Sequence, residues 1–434
     1  MKALSPGESG ASKGPSSSFK ERLRQAVRQH VHPKADGDAS VEAGSVAALP
    51  EKRGVSAAAV ESILGGKWIE TEHGRALIVD VEYPLDHTHG GGAIGAFLRS
   101  APSARGCLLP DDLDTPPQAF GFFDIETTGL SGGTGTYCFL AALGTFTENA
   151  FRVRQYFLAD LLEERAMMTV LTDDLRSCEV VVTYNGRCFD VPCVDTRMLL
   201  ARFPSPFEHA YNLDLLYTVR RLYRHRLESC RLSDAEQGLL GFQRDDDIPG
   251  WMAPSLYFDY LRAGRVAPLR GVLRHNRDDV LSTLGLLAHA TELFANESPK
   301  PEDAVALARW WEQTGGGERA RKLYAGALPK LEGEDDWPWA ATRHAFLCKR
   351  AGEREEAARW WQRRWEHGDR RAGLELAKHF EHWKRDLLSA ERITSDLLDS
   401  STGDDSGALE HRLSRVRRKL SRRGKGRPNR RGAQ

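Results

Sequence analysis

Phe120-Gly121-Phe122-Phe123-Asp124-Ile125-Glu126-Thr127-Thr128-Gly129-Leu130 is the stretch from which the fold is read. Its apolar start predicts a buried strand. Side chains alternate along a strand, so Asp124 and Glu126 share one side while Ile125 faces the core. Two carboxylates at the end of a buried strand need a compensating charge, and a divalent cation is the usual one. Thr127-Thr128-Gly129 then supplies turn chemistry, leaving the acids beside a bend that a phosphate can approach.

Two further blocks repeat this pattern. Val181-Val182-Thr183-Tyr184-Asn185-Gly186-Arg187-Cys188-Phe189-Asp190 is an apolar strand, an Asn-Gly turn and an aspartate at a helix start, with Phe189 expected to anchor the turn in the core. His275-Asn276-Arg277-Asp278-Asp279-Val280 lies on a predicted helix, where the four-residue step puts His275 and Asp279 on one face. Asp124, Glu126, Asp190 and Asp279, with His275, are therefore expected to converge. Read singly, each aspartate also suits a cap or an ion pair. Thr127, Thr128, Asn185 and Phe189, on the two turns, are the candidate substrate contacts. Asp214, in Tyr211-Asn212-Leu213-Asp214 of the predicted strand Asn212 to Leu216, is a supporting candidate at the same sheet edge.

Around these blocks the elements follow an α/β order. Strands at 136–146 and 151–157 meander after the first, and helices then alternate with strands to about residue 295, predicting a mixed sheet with helices on its faces. Before this core, residues 51–117 read as a small α+β extension whose hairpin packs on it. His87 and His89, in a Gly-rich loop, are read as structural. Residues 1–50 read as a disordered leader carrying one short amphipathic helix from Ser18.

Residues 300–400 contain only helical patterns. Ala320, Ala357 and Ala390 recur near the roughly 34-residue period of tetratricopeptide arrays, and the many tryptophans are read as the core of such a stack rather than a base-stacking platform. Residues 401–434 read as a basic disordered tail.

Composition bounds the classes. The 434 residues carry 61 Lys+Arg and 61 Asp+Glu, yet 11 of the cations lie between Arg412 and Arg431 with no acid among them. Such a tail suits phosphate neutralisation or a plain solvated extension. Seven scattered cysteines without a C-x-x-C pair argue against a disulfide framework and a structural zinc site. No apolar run reaches the ~20 residues of a membrane span and no signal-peptide core opens the chain, so a cytoplasmic protein with no membrane partner is expected.

The Asp-Ile-Glu-Thr-Thr-Gly, Asn-Gly-x-x-Phe-Asp and His-Asn-x-x-Asp blocks resemble the three motifs of the DEDD superfamily of 3′→5′ exonucleases. Arg231-Leu232-Ser233-Asp234-Ala235-Glu236-Gln237-Gly238-Leu239-Leu240-Gly241 and Ile248-Pro249-Gly250 resemble YprB-type ribonuclease-H-like proteins, which also carry a tetratricopeptide-like C-terminal part. The resemblance spans roughly residues 60–380. It implies a ribonuclease-H-like fold, two Mg²⁺ or Mn²⁺ ions ligated by Asp124, Glu126, Asp190 and Asp279, and His275 as general base or water-orienting residue. The four-residue step from His275 to Asp279 departs from the superfamily's His branch and matches its Tyr branch, which leaves the reach of His275 open. The implied activity is metal-dependent 3′→5′ exonucleolysis of single-stranded DNA or RNA, with a protein partner on the helical repeats. The alternative is a nucleic-acid-binding scaffold whose exonuclease-like centre is weak or inactive.

Overall fold

The computed structural model describes residues 55–129, 134–245, 247–400 and 406–424. The leader lies outside the described residues, as do 401–405 and 425–434 of the tail.

One seven-stranded mixed sheet organises the first part of the chain. Helix α1 (Ala57–Leu64) precedes β1 (Lys67–Thr71) and β2 (Gly74–Pro84), and the motif strand β3 (Phe120–Thr127) follows. Next come β4 (Cys138–Phe146), β5 (Ala150–Phe157), α2 (Glu164–Leu175), β6 (Val180–Thr183), α3 (Asp190–Ala201), β7 (Tyr211–Asp214) and α4 (Leu215–Leu222). The order across the sheet is β1-β2-β5-β4-β3-β6-β7. The first five strands in that order pair antiparallel, while β3-β6 and β6-β7 are parallel. The hairpin expected to pack on the core instead extends the sheet, with Leu77 in register with Phe157. Backbone pairing satisfies the edge of β5, which packing alone would have left open.

Alternation along β3 divides two cores. Phe123 and Ile125 join one cluster with Met168, Leu171, Val194 and Tyr257, whereas Phe120 and Phe122 join the other with Val219, Leu222 and Val280. After α5 (Ala253–Ala263), the 27-residue helix α6 (Leu269–Ala295) contributes to both clusters, Leu269, Val272 and Leu273 to the first and Val280, Leu281 and Leu284 to the second. His275 and Asp279 fall between those two sets.

Beyond α6 every described element is helical. Pairs α7/α8 (Pro301–Gln313, Gly317–Ala327), α9/α10 (Trp337–Arg350, Arg354–Glu366) and α11/α12 (Arg370–His379, Leu387–Asp399) form the array. Ala320, Ala357 and Ala390, on the second helix of each pair, are all fully buried, as a repeated close helix contact requires. The array is joined to the sheet domain by polar and aromatic contacts. Asp303 accepts from His225 at 3.1 Å, and the Arg221 guanidinium stacks 3.8 Å from the Trp310 ring centre.

Two expectations change here. Trp310, Trp337, Trp360 and Trp361 are buried, but Trp339 and Trp383 face solvent. Residues 406–424 of the basic tail form helix α13 (Ser406–Gly424), docked through Leu409, Leu413 and Val416. Those residues follow a helical apolar spacing, and Glu381 beneath them takes ion pairs from Arg412, Arg415 and Lys419. All seven cysteines are free. Among the described residues no helix is long and apolar enough to cross a membrane.

Candidate functional site

The site is assembled where β3, the start of α3 and the middle of α6 meet. Asp124 stands opposite Ala142 on β4, which stands opposite Gln155 on β5. Asn276 of α6 closes this row, donating to Asp124 Oδ2 at 2.7 Å and accepting from Gln155 Nε2 at 2.9 Å. Gln155 also donates to the Leu273 carbonyl at 2.7 Å, so a buried amide pair locks α6 over the sheet. One turn of α6 then carries both His275 and Asp279 to the acids. His275 Nε2 lies 3.6 Å from Asp279 and 3.9 Å from Glu126.

Asp190 is the first residue of α3 and is buried. Its turn is built on Asp214, which accepts from the backbone N–H of Asn185 at 2.8 Å and of Arg187 at 3.2 Å, and caps α4 through Leu216 N at 3.0 Å. Asn185 adopts a left-handed φ of 64°, a conformation asparagine tolerates well.

The acids burden one another. Burial raises the pKa of Asp124 well above the ordinary carboxylate range, and the charges of Asp279, Asp190 and Glu126 add to the rise. Glu126 is raised likewise, by burial and then by Asp279 and Asp190. Asp190 is pushed up to about 7 by burial, Asp214 and Asp279. All four predicted acids thus share one field, with His275 beside them.

The predicted substrate contacts fare differently. Phe189, expected in the core, is 42% exposed, while Thr183 and the Asp190 carboxylate crowd the inside of the turn at Gly186. Thr127 Oγ1 donates to the Gly129 carbonyl at 2.9 Å, and Thr128 Oγ1 accepts from Tyr137 N at 2.9 Å. Both hydroxyls therefore shape the bend in this conformation.

Sequence reasoning missed a second tier formed by Glu236, Arg244 and Asp247. Asp247 approaches His275 Nδ1 at 2.9 and 3.0 Å through its two oxygens. Arg244 hydrogen-bonds Glu236 at 2.5 and 2.9 Å, contacts Asp279, and brings Nη1 within 3.0 Å of the same imidazole nitrogen. Burial opposes the Arg244 charge, but Glu236 and Asp279 outweigh it and raise its pKa. Packing of Ile248 on Gly271 seats this segment, since a Cβ at 271 would meet Ile248 Cδ1 at 2.1 Å. The only sequence signal was that Glu236 and Asp247 fall within or beside the Arg231–Gly241 and Ile248-Pro249-Gly250 blocks.

Among the described residues no three His, Cys, Asp or Glu side chains are grouped so as to hold a metal ion. The donor chemistry nevertheless fits hard cations, because the acids offer only oxygen and their mutual repulsion is what a cation relieves.

A family model described as the RNase_H superfamily matches residues 121–291. The uncharacterized protein YprB of Bacillus subtilis (strain 168) is 32% identical over 363 residues, covering 80% of this chain and 86% of that protein.

Proposed function

This chain belongs to the YprB family and carries a domain of the ribonuclease H superfamily, and on that premise we propose that it is a metal-dependent 3′→5′ exonuclease of single-stranded nucleic acid. The observation that carries the reading is the cluster of Asp124, Glu126, Asp190 and Asp279, raised in pKa by burial and by one another, around one imidazole. These four carboxylates would hold two Mg²⁺ or Mn²⁺ ions. When bound, such ions supply Lewis acidity to the attacking water and the leaving oxygen.

The protein's own groups do the rest. Two Asp247 oxygens against one Arg244 N–H favour the proton on His275 Nδ1, which leaves Nε2 basic and turned toward the acids. That nitrogen can accept a proton from water in place of the superfamily's other base. Phe189, exposed beside Asp190, offers a face for the terminal base. The contact of Arg244 with Asp279 favours the second reading, a scaffold with a silent centre, because an internal cation already answers one acid. Strands labelled at the 3′ or the 5′ end separate these outcomes. Immediate loss of the 3′ label with a ladder from the 5′-labelled strand supports the exonuclease, whereas intact strands that remain bound support the scaffold.

A further inference from the structure

The helical array carries a groove remote in sequence from the acids. A hollow of about 560 Å³ lies between α9, α10 and the start of α11, and a second of about 260 Å³ continues it, the two sharing Trp361 and Glu375. Three large rings face solvent along it: Trp339 at 41%, Phe346 at 37% and Trp383 at 52% exposure. Exposed aromatics of this size are costly to leave in water and mark a contact surface.

Cations alternate with those rings. Arg309 lies 5.1 Å from the Trp339 ring centre, Lys349 lies 6.0 Å from that of Phe346 and 5.5 Å from that of Trp361, and Arg354 sits 4.0 Å over Trp383. The groove's two acids are already answered. Asp369 pairs with Arg364 at 2.8 Å, and Glu375 accepts from Lys349 at 2.7 Å and Lys378 at 2.6 Å. Arg354 and Arg371 have no ion-pair partner among the described residues, so the lining is net positive. Past Trp383 the surface carries Glu353, Glu355 and Glu356, paired with Arg321, Lys384 and Arg359, so its charge is balanced and the positive lining ends there.

We infer that this groove binds single-stranded nucleic acid, with bases stacked on Trp339, Phe346 and Trp383 and phosphates held by Arg354, Arg371 and their neighbours. Every base has a π-face, and unpaired arginines attract phosphates by counterion release, so alternating rings and cations suit a strand without demanding a sequence. An acidic peptide would draw the cations away from the rings and offer the three rings nothing to stack on in return. A helical array therefore contributes a strand-holding surface of its own. The inference does not depend on the acids being catalytic.

The test is fluorescence anisotropy of labelled oligo(dT) and oligo(U) with the full chain carrying Asp124→Asn, in EDTA, so that binding is read without cleavage. In that background Trp383→Ala is expected to weaken binding roughly 5- to 100-fold, the range of one lost base stack. The pair Arg354→Glu and Arg371→Glu should weaken it further and flatten its salt dependence. All three side chains lie at the surface of the groove, and unchanged circular dichroism would confirm folding. Binding equal to the parent in both variants overturns the inference. So does displacement of the oligonucleotide by a poly-glutamate peptide that itself binds more tightly. Failure of the nuclease reading would appear elsewhere, as intact strands in a cleavage assay with these affinities unaltered.

Discussion

His275 turns Nδ1 to the carboxylate of Asp247 at 2.9 Å, and this contact aims its other nitrogen at Asp279. The imidazole is thus oriented from outside the acid cluster, by a residue on a segment that packs against α6 only in the folded chain. His275→Ala is predicted to lower kcat by roughly 10²- to 10⁴-fold, the usual worth of a general base. Asp247→Asn should lose about 10- to 100-fold, as for other residues that orient a functional histidine. Steady-state kinetics at saturating metal with KM unchanged is the check. An Asp247→Asn enzyme at full kcat would remove Asp247 from the account.

Arg244 is the structural counterpart of that contact. Its partner Glu236 is 1% exposed, so truncating the arginine strands a buried carboxylate. Arg244→Met should destabilise the protein by about 3–5 kcal/mol, and Arg244→Met combined with Glu236→Met should cost much less. Urea denaturation of the three proteins decides this. Equal losses in the single and double variants would mean that the pair is not coupled.

The raised carboxylates carry a pH signature. Asp190 stands at about 7 against an ordinary 3.8. Between those values the folded chain keeps a proton that the unfolded chain releases, so stability falls as pH rises through the window. Asp124 and Glu126 are shifted in the same direction. Without metal, Tm should therefore be higher near pH 5 than near pH 7.5, and Asp190→Asn should flatten the difference. Added Mn²⁺ should raise Tm most at the higher pH. A metal-free Tm that climbs with pH would show that another group governs the profile.

Helix α13 rests on Glu381, whose carboxylate is held near a pKa of about 2 by Arg415 and Lys419 against the opposing effect of burial. The folded value is depressed, so this anchor is present at neutral pH and is lost only as pH falls toward that value. Glu381→Ala should release α13 from its seat. Hydrogen exchange would report faster exchange in residues 406–424 while the sheet domain stays protected. Unchanged exchange there would assign the docking to Leu409, Leu413 and Val416 alone.

The acid cluster was legible in the sequence because each carboxylate sits on or beside an element with a clear local signal: Asp124 and Glu126 on β3, Asp190 after the Asn-Gly turn and Asp279 within α6. The mixed sheet was legible for the same reason. Arg244 and Asp247 were not, since they lie on an irregular segment whose place depends on Ile248 meeting Gly271, a contact with no local signal. Phe189 was misplaced because an apolar residue beside a turn says nothing about which way the turn faces. In the tail the charge run masked the spacing of Leu409, Leu413 and Val416. The solvent-facing side of Trp339 and Trp383 depends on how the helix pairs stack, which a degenerate repeat leaves undetermined.

The most direct test of the central claim is degradation of end-labelled single-stranded DNA and RNA by the purified protein, with Mg²⁺, Mn²⁺ or EDTA, beside Asp124→Asn. The variant keeps an oxygen to accept from Asn276, so the lock between α6 and the sheet is preserved while one ligand charge is lost. The account predicts stepwise, metal-dependent shortening from the 3′ end by the parent and none by the variant or in EDTA. Strands left intact by both proteins, or shortened equally by both, would contradict it.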